Sequence, residues 1–88
     1  MLQIITTEFI EKFNALNNII ADVCIKHILY GTQKIKKCVL HPFMDGGRIG
    51  LIINEEEIYI TMDELCGVSI KNNEFTIKSE VMELYIML

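Results

Sequence analysis

Apolar side chains return at every third or fourth position between residues 9 and 28, and at every second position from residue 33 onward. Thr6 or Thr7 can cap a helix start, and Glu8 and Glu11 fall in the first turns, where the helix dipole favours anions. Phe9, Phe13, Leu16, Ile20 and Val23 then alternate between spacings of four and three, the signature of one helical face. Ile10, Ile19, Cys24 and Ile28 widen that stripe, and Gly31 is placed as a C-cap after Tyr30. The pattern predicts an amphipathic helix from about residue 8 to 29, ~33 Å long at 1.5 Å per residue. Such a stripe packs on the sheet of its own chain. Where it is wide enough it also pairs with the helix of a second copy, which makes Phe9, Phe13, Leu16, Ile20 and Val23 the candidate oligomer interface.

The second half reads as strands. Residues 35–40 form the first, ended at His41-Pro42 because proline cannot donate to a ladder. Asp45-Gly46-Gly47 is a turn, and residues 48–53 form a strand with Ile49, Leu51 and Ile53 on one face. Asn54-Glu55-Glu56 is a polar turn, and residues 57–61 form a third strand. Residues 62–65 suit a single helical turn. Strands over 67–71 and 74–78 flank Asn72-Asn73, a two-residue hairpin turn that tolerates positive φ. Residues 79–88 admit a short helix capped by Ser79, but their alternation, with apolar side chains on nearly both faces, favours a last strand, continued from the fifth through a bulge and covered on both sides. An apolar chain end such as Leu84-Tyr85-Ile86-Met87-Leu88 needs something packed against it. The expected fold class is α+β, one domain over 1–88, with one long N-terminal amphipathic helix (about 8–29) on a five- to six-stranded antiparallel sheet (strands about 34–88) curling toward a partial small barrel. The order of elements is similar to that of Sm-like and SH3-like small barrels. No Sm-type signature accompanies it, so the likeness is one of fold and implies nothing about RNA.

Composition sharpens this picture. Hydrophobic residues make up 51% of the 88, above the usual roughly 45–50% even though glycine is left out of the count. A domain this small has much surface for its volume, so some apolar side chains stay exposed and favour association. The net charge of −4, from 12 acidic and 8 basic residues, argues against nucleic acid and anionic membranes. Lys26, Lys34, Lys36 and Lys37 cluster in one stretch and Glu55, Glu56, Glu57, Asp63 and Glu64 in another, so a basic edge could meet an acidic edge of a neighbouring copy. Three cysteines, an odd number, with no basic leader and no apolar run of membrane-spanning length, lead us to expect a cytoplasmic protein in a reducing compartment. The abundance of Ile, Lys and Asn is that of an AT-rich genome, such as a low-GC bacterium or its phages and plasmids.

Candidate chemistry is sparse. Cys24 and Cys38 each precede a histidine, His27 and His41, by three positions, and four such ligands suffice for a zinc site. A helix would put positions 24 and 27 on one face, whereas a strand puts 38 and 41 on opposite faces, so no metal or cofactor is expected. Nothing places a thiol, a base and an orienting group together, and the glycines of residues 45–50 lack the Lys-Ser/Thr ending and following helix of a phosphate loop. A non-enzymatic interaction protein is expected, homo-oligomeric, blocking or adapting a protein partner in the manner of phage or mobile-element accessory proteins. Its contact is expected at Phe43, Met44, Asp45 and Arg48 in the Pro42-to-Arg48 loop, together with apolar helix positions left uncovered. The alternative is a protein that binds a small anion in a pocket between subunits, through Arg48, Lys34, Lys36 and Lys37.

Overall fold

The computed structural model describes residues 5–88. A short helix α1 (Thr7–Asn14) precedes eight strands: β1 (Ile20–His27), β2 (Gly31–Val39), β3 (His41–Asp45), β4 (Arg48–Ile53), β5 (Glu56–Thr61), β6 (Leu65–Lys71), β7 (Glu74–Ser79) and β8 (Met82–Met87). They form a five-stranded sheet in the order β2-β1-β8-β7-β6 and a three-stranded sheet in the order β3-β4-β5. All pairings are antiparallel.

The expected long helix is corrected: it ends at Asn14, and the α+β arrangement of that helix on a single five- to six-stranded sheet over 34–88 gives way to a mostly β fold of two sheets whose strands begin at Ile20. Thr6 is the N-cap, its Oγ1 accepting the N–H of Phe9 at 3.1 Å. The stop comes at Asn14, Asn17 and Asn18. Asn18 takes a left-handed φ of 66° and turns its N–H to the carbonyl of Leu40 at 2.8 Å. Beyond it Ile20–His27 is rich in β-branched residues and pairs with β2 on one side and β8 on the other. The spacing of Phe9, Phe13, Leu16, Ile20 and Val23 therefore continues across a turn by coincidence. Gly31, at φ +80°, closes the β1–β2 turn and not a helix.

The strands follow local chemistry more closely. β4 alternates as its sequence demands, with Ile49, Leu51 and Ile53 buried. Three two-residue turns carry positive φ at both positions: Gly46-Gly47, Asn54-Glu55 and Asn72-Asn73. Pro42 does not end a strand; it sits inside β3, which among the described residues pairs only with β4 and so needs no N–H on its other side. The last strand β8 closes the chain against its beginning, between β1 and β7.

The inner faces of the two sheets meet in one core, in which Phe13, Leu40, Ile49, Leu51, Ile77, Leu84 and Ile86 are fully buried. The helix packs over the core: it contacts β3, and Phe9 stacks on Phe13 and meets Phe75 of β7 edge-on at 6.1 Å. Leu16 and Val23 join the same core. No helix among the described residues is long and apolar enough to cross a membrane.

Candidate functional site

Four of the five stripe residues, Phe9, Phe13, Leu16 and Val23, are buried within their own chain, and only Ile20 is exposed. They do not form a helical face for a second copy. The Pro42–Arg48 segment is likewise not a free loop. Register aligns Phe43, Gly50 and Tyr59 in one row across the second sheet, so their side chains share its outer face. At Gly50 the β5 backbone lies where a Cβ would stand, so only glycine fits at that place in the row. The Phe43 and Tyr59 rings approach to 6.5 Å, and the Arg48 guanidinium lies 5.3 Å from one and 5.0 Å from the other. Arg48 also donates to Glu57 at 3.0 Å and pairs with Asp45 at 3.6 Å. Partial burial opposes its charge, but Glu57 and Asp45 outweigh this and hold its pKa above the ordinary value. Arg48 is thereby committed inside the chain, while Met44 packs against the core.

The expected lysines fall elsewhere. Lys34 and Lys36 face an open hollow of about 460 Å³ on the outside of the first sheet, with Lys26, Cys24, Tyr85 and Met87. Lys37 occupies a bulge at φ 51°, its backbone N–H bonded to Asp22 Oδ1 at 2.9 Å. Arg48 shares none of this hollow. The four Cys and His positions do not converge: Cys38 Sγ donates to the Ala21 carbonyl, His41 bonds Asn17, and His27 belongs to the β1–β2 turn. No group of three or more His, Cys, Asp or Glu side chains that could hold a metal occurs among the described residues.

The most unusual surface is that β1–β2 turn. Ile28, Leu29 and Tyr30 are 71%, 78% and 84% exposed. A turn is normally polar, and three consecutive exposed large apolar residues are a fault in a soluble fold unless they serve a purpose. The turn is also rigidly built. His27 Nδ1 accepts the N–H of Leu29 at 3.0 Å and that of Tyr30 at 3.4 Å. The His27 ring lies 4.6 Å from that of Tyr30, and the Ile28 N–H donates to the Val81 carbonyl at 2.9 Å. Tyr59 and Val81 extend the apolar surface. Beside the knob opens a hollow of about 280 Å³, lined by Ile25, Tyr30, Ile58, Tyr59 and Met82 among others. The knob is hidden in the sequence because the expected helix, ending at about residue 29, takes in Ile28 and Leu29 and leaves Tyr30 as the residue before its Gly31 cap. The available signal was the run of three apolar residues between His27 and Gly31.

Comparison with protein-family models, with curated proteins and with solved structures finds no match to this chain.

Proposed function

We propose that this chain is a non-enzymatic interaction protein that works as a homodimer joined through the Ile28–Leu29–Tyr30 knob. The observation that carries the reading is a rigid apolar knob standing next to an apolar hollow on the same end of the molecule. A two-fold axis places the same patch of each copy against the other, so a knob beside a hollow is self-complementary. The knob exposes on the order of 400 Å² of largely apolar surface. With the rim of the hollow, two copies bury about 1,200 Å² in total, the lower bound for a specific interface. The turn's hydrogen bonds fix the knob before contact, so little ordering entropy is lost on docking.

Native mass spectrometry and light scattering at micromolar concentration test this. The expected result is a dimer for the parent chain and a monomer for Leu29→Glu, which loses an anchor in both copies; at about 2 kcal/mol for each, dimerisation weakens about a thousandfold. A monomeric parent chain, or a Leu29→Glu variant that stays dimeric, overturns the reading.

A further inference from the structure

We propose that the outer face of the first sheet is a binding site for a small amphipathic organic anion, a carboxylate or sulfonate on an apolar body. Register builds the site. Lys34, Cys24, Tyr85 and Thr76 are partnered in one row across β2, β1, β8 and β7. In the adjoining row Asp22, Met87 and Glu74 are partnered across β1, β8 and β7. On the other side lies the row of Lys26, Glu83 and Lys78. Partnered residues share a face, so the lysines of β2 stand at one rim, sulfur and aromatic groups form the floor, and Glu74 stands at the far rim. The hollow between them is about 460 Å³, within the size range of small-molecule pockets.

The charges around it are unequally engaged. Glu83 takes the Lys78 ammonium at 3.9 Å and the hydroxyl of Tyr85, and Asp22 accepts the backbone N–H of Lys37. Lys26, Lys34 and Lys36 enter no ion pair among the described residues. The Lys26 ammonium stands over the Tyr85 ring at 5.3 Å, closing one side of the hollow with positive charge. The rim near β2 therefore offers uncompensated cations, and the floor of Cys24, Tyr85 and Met87 offers an apolar bed. Neither a bare phosphate nor a neutral hydrocarbon satisfies both halves. The far-rim Glu74 adds a penalty for a second negative charge at the ligand's other end, which disfavours a dianion. The site shares no lining residue with the hollow beside the knob, so it stands or falls independently of the dimer.

The test is an amide-resolved NMR titration of the full chain with 2-naphthoate, and with 2-naphthamide as its neutral counterpart. Expected are saturable shifts at residues 22–26, 34–36 and 85–87 with a Kd on the order of 100 μM, and none with 2-naphthamide. Lys34→Gln/Lys36→Gln alters two exposed side chains, keeps the native spectrum, and weakens 2-naphthoate about tenfold. Three results overturn the proposal: no saturable shift up to about 5 mM, equal shifts with the amide, or shifts confined to residues 28–30 and Tyr59.

Discussion

Replacing Gly50 by alanine adds one methyl group and is expected to remove much of the stability of the fold. A Cβ at Gly50 meets the Ile58 carbonyl oxygen at 2.0 Å, Tyr59 Cα at 2.6 Å and Tyr59 Cβ at 2.8 Å. Backbone and Cβ atoms cannot rotate away, so β4 and β5 must separate by about 1 Å from a normal strand spacing of about 4.8 Å. Overpacking of this kind costs about 1–3 kcal/mol. Loosening the ladder on either side of Gly50 adds about 1–2 kcal/mol. Displacing Tyr59 from Phe43 and Arg48 adds about 0.5–1 kcal/mol. The total is about 4 kcal/mol, against roughly 4–13 kcal/mol for a chain of this length. Urea unfolding followed by circular dichroism measures it. With a slope of about 1 kcal/mol/M, the midpoint falls by about 4 M. Gly46→Ala is the control: nothing lies within 4 Å of its added Cβ and only its φ of +55° is strained, so it costs about 1 kcal/mol. A Gly50→Ala midpoint within about 1 M of the parent, at an unchanged slope, would refute the argument.

Four smaller predictions follow from other parts of the fold. Tyr85 has its pKa pushed up to about 12, chiefly by the hydrogen bond to Glu83 and then by burial. The folded state thus retains a proton that the unfolded chain gives up near pH 10; the stabilisation is complete below that and fades between pH 10 and 12, and absorbance at 295 nm is expected to show one late-titrating tyrosine that Tyr85→Phe removes. Glu55 holds a left-handed φ of 69° in a two-residue turn, so Glu55→Gly is expected to stabilise the fold by about 1 kcal/mol in urea melts. Cys66 is exposed while Cys24 and Cys38 are buried, and burial pushes the Cys38 thiol up; a thiol reagent is expected to modify one cysteine rapidly in the native chain and all three in denaturant. Thr6→Ala, which removes the cap on Phe9, is expected to cost about 1 kcal/mol.

What could be read from the sequence was what is decided by near neighbours. The turns at Gly46-Gly47 and Asn72-Asn73 and the alternation of Ile49, Leu51 and Ile53 are local, and the strands fall close to where these place them. The first half failed because β1 is apolar on its inner face at Ala21, Val23 and Ile25 and partly apolar on its outer face at Ile20 and Cys24. That obscures a period of two, and the spacing of four from Leu16 to Ile20 carries the helical pattern across the turn at Asn18. The pairing that would have settled the matter, β1 with β8, joins residues about 60 positions apart, beyond the reach of any local pattern. The candidate site suffered the same way. Arg48 looked free because Tyr59 and Glu57 reach it through sheet register, and Lys34 met Cys24 and Tyr85 only once that register was known.

The outer faces of the two sheets make opposite use of their charges, and that contrast bears on function. On the second sheet Arg48 is held by two rings and two carboxylates, which leaves little for a ligand to gain. On the first sheet the lysines nearest the hollow have no acidic partner among the described residues, and at its end three large apolar side chains stand in solvent on a hydrogen-bonded turn. Side chains 71–84% exposed bury almost nothing within the chain, so at a concentration low enough to keep the parent monomeric, a polar replacement at Leu29 is expected to change stability by no more than about 0.5 kcal/mol. If Leu29→Glu unfolds the chain even there, the knob is a folding element. If the variant melts like the monomeric parent at low concentration, and only the parent gains stability as concentration rises, then residues 28–30 contribute to contact with another chain and not to the fold.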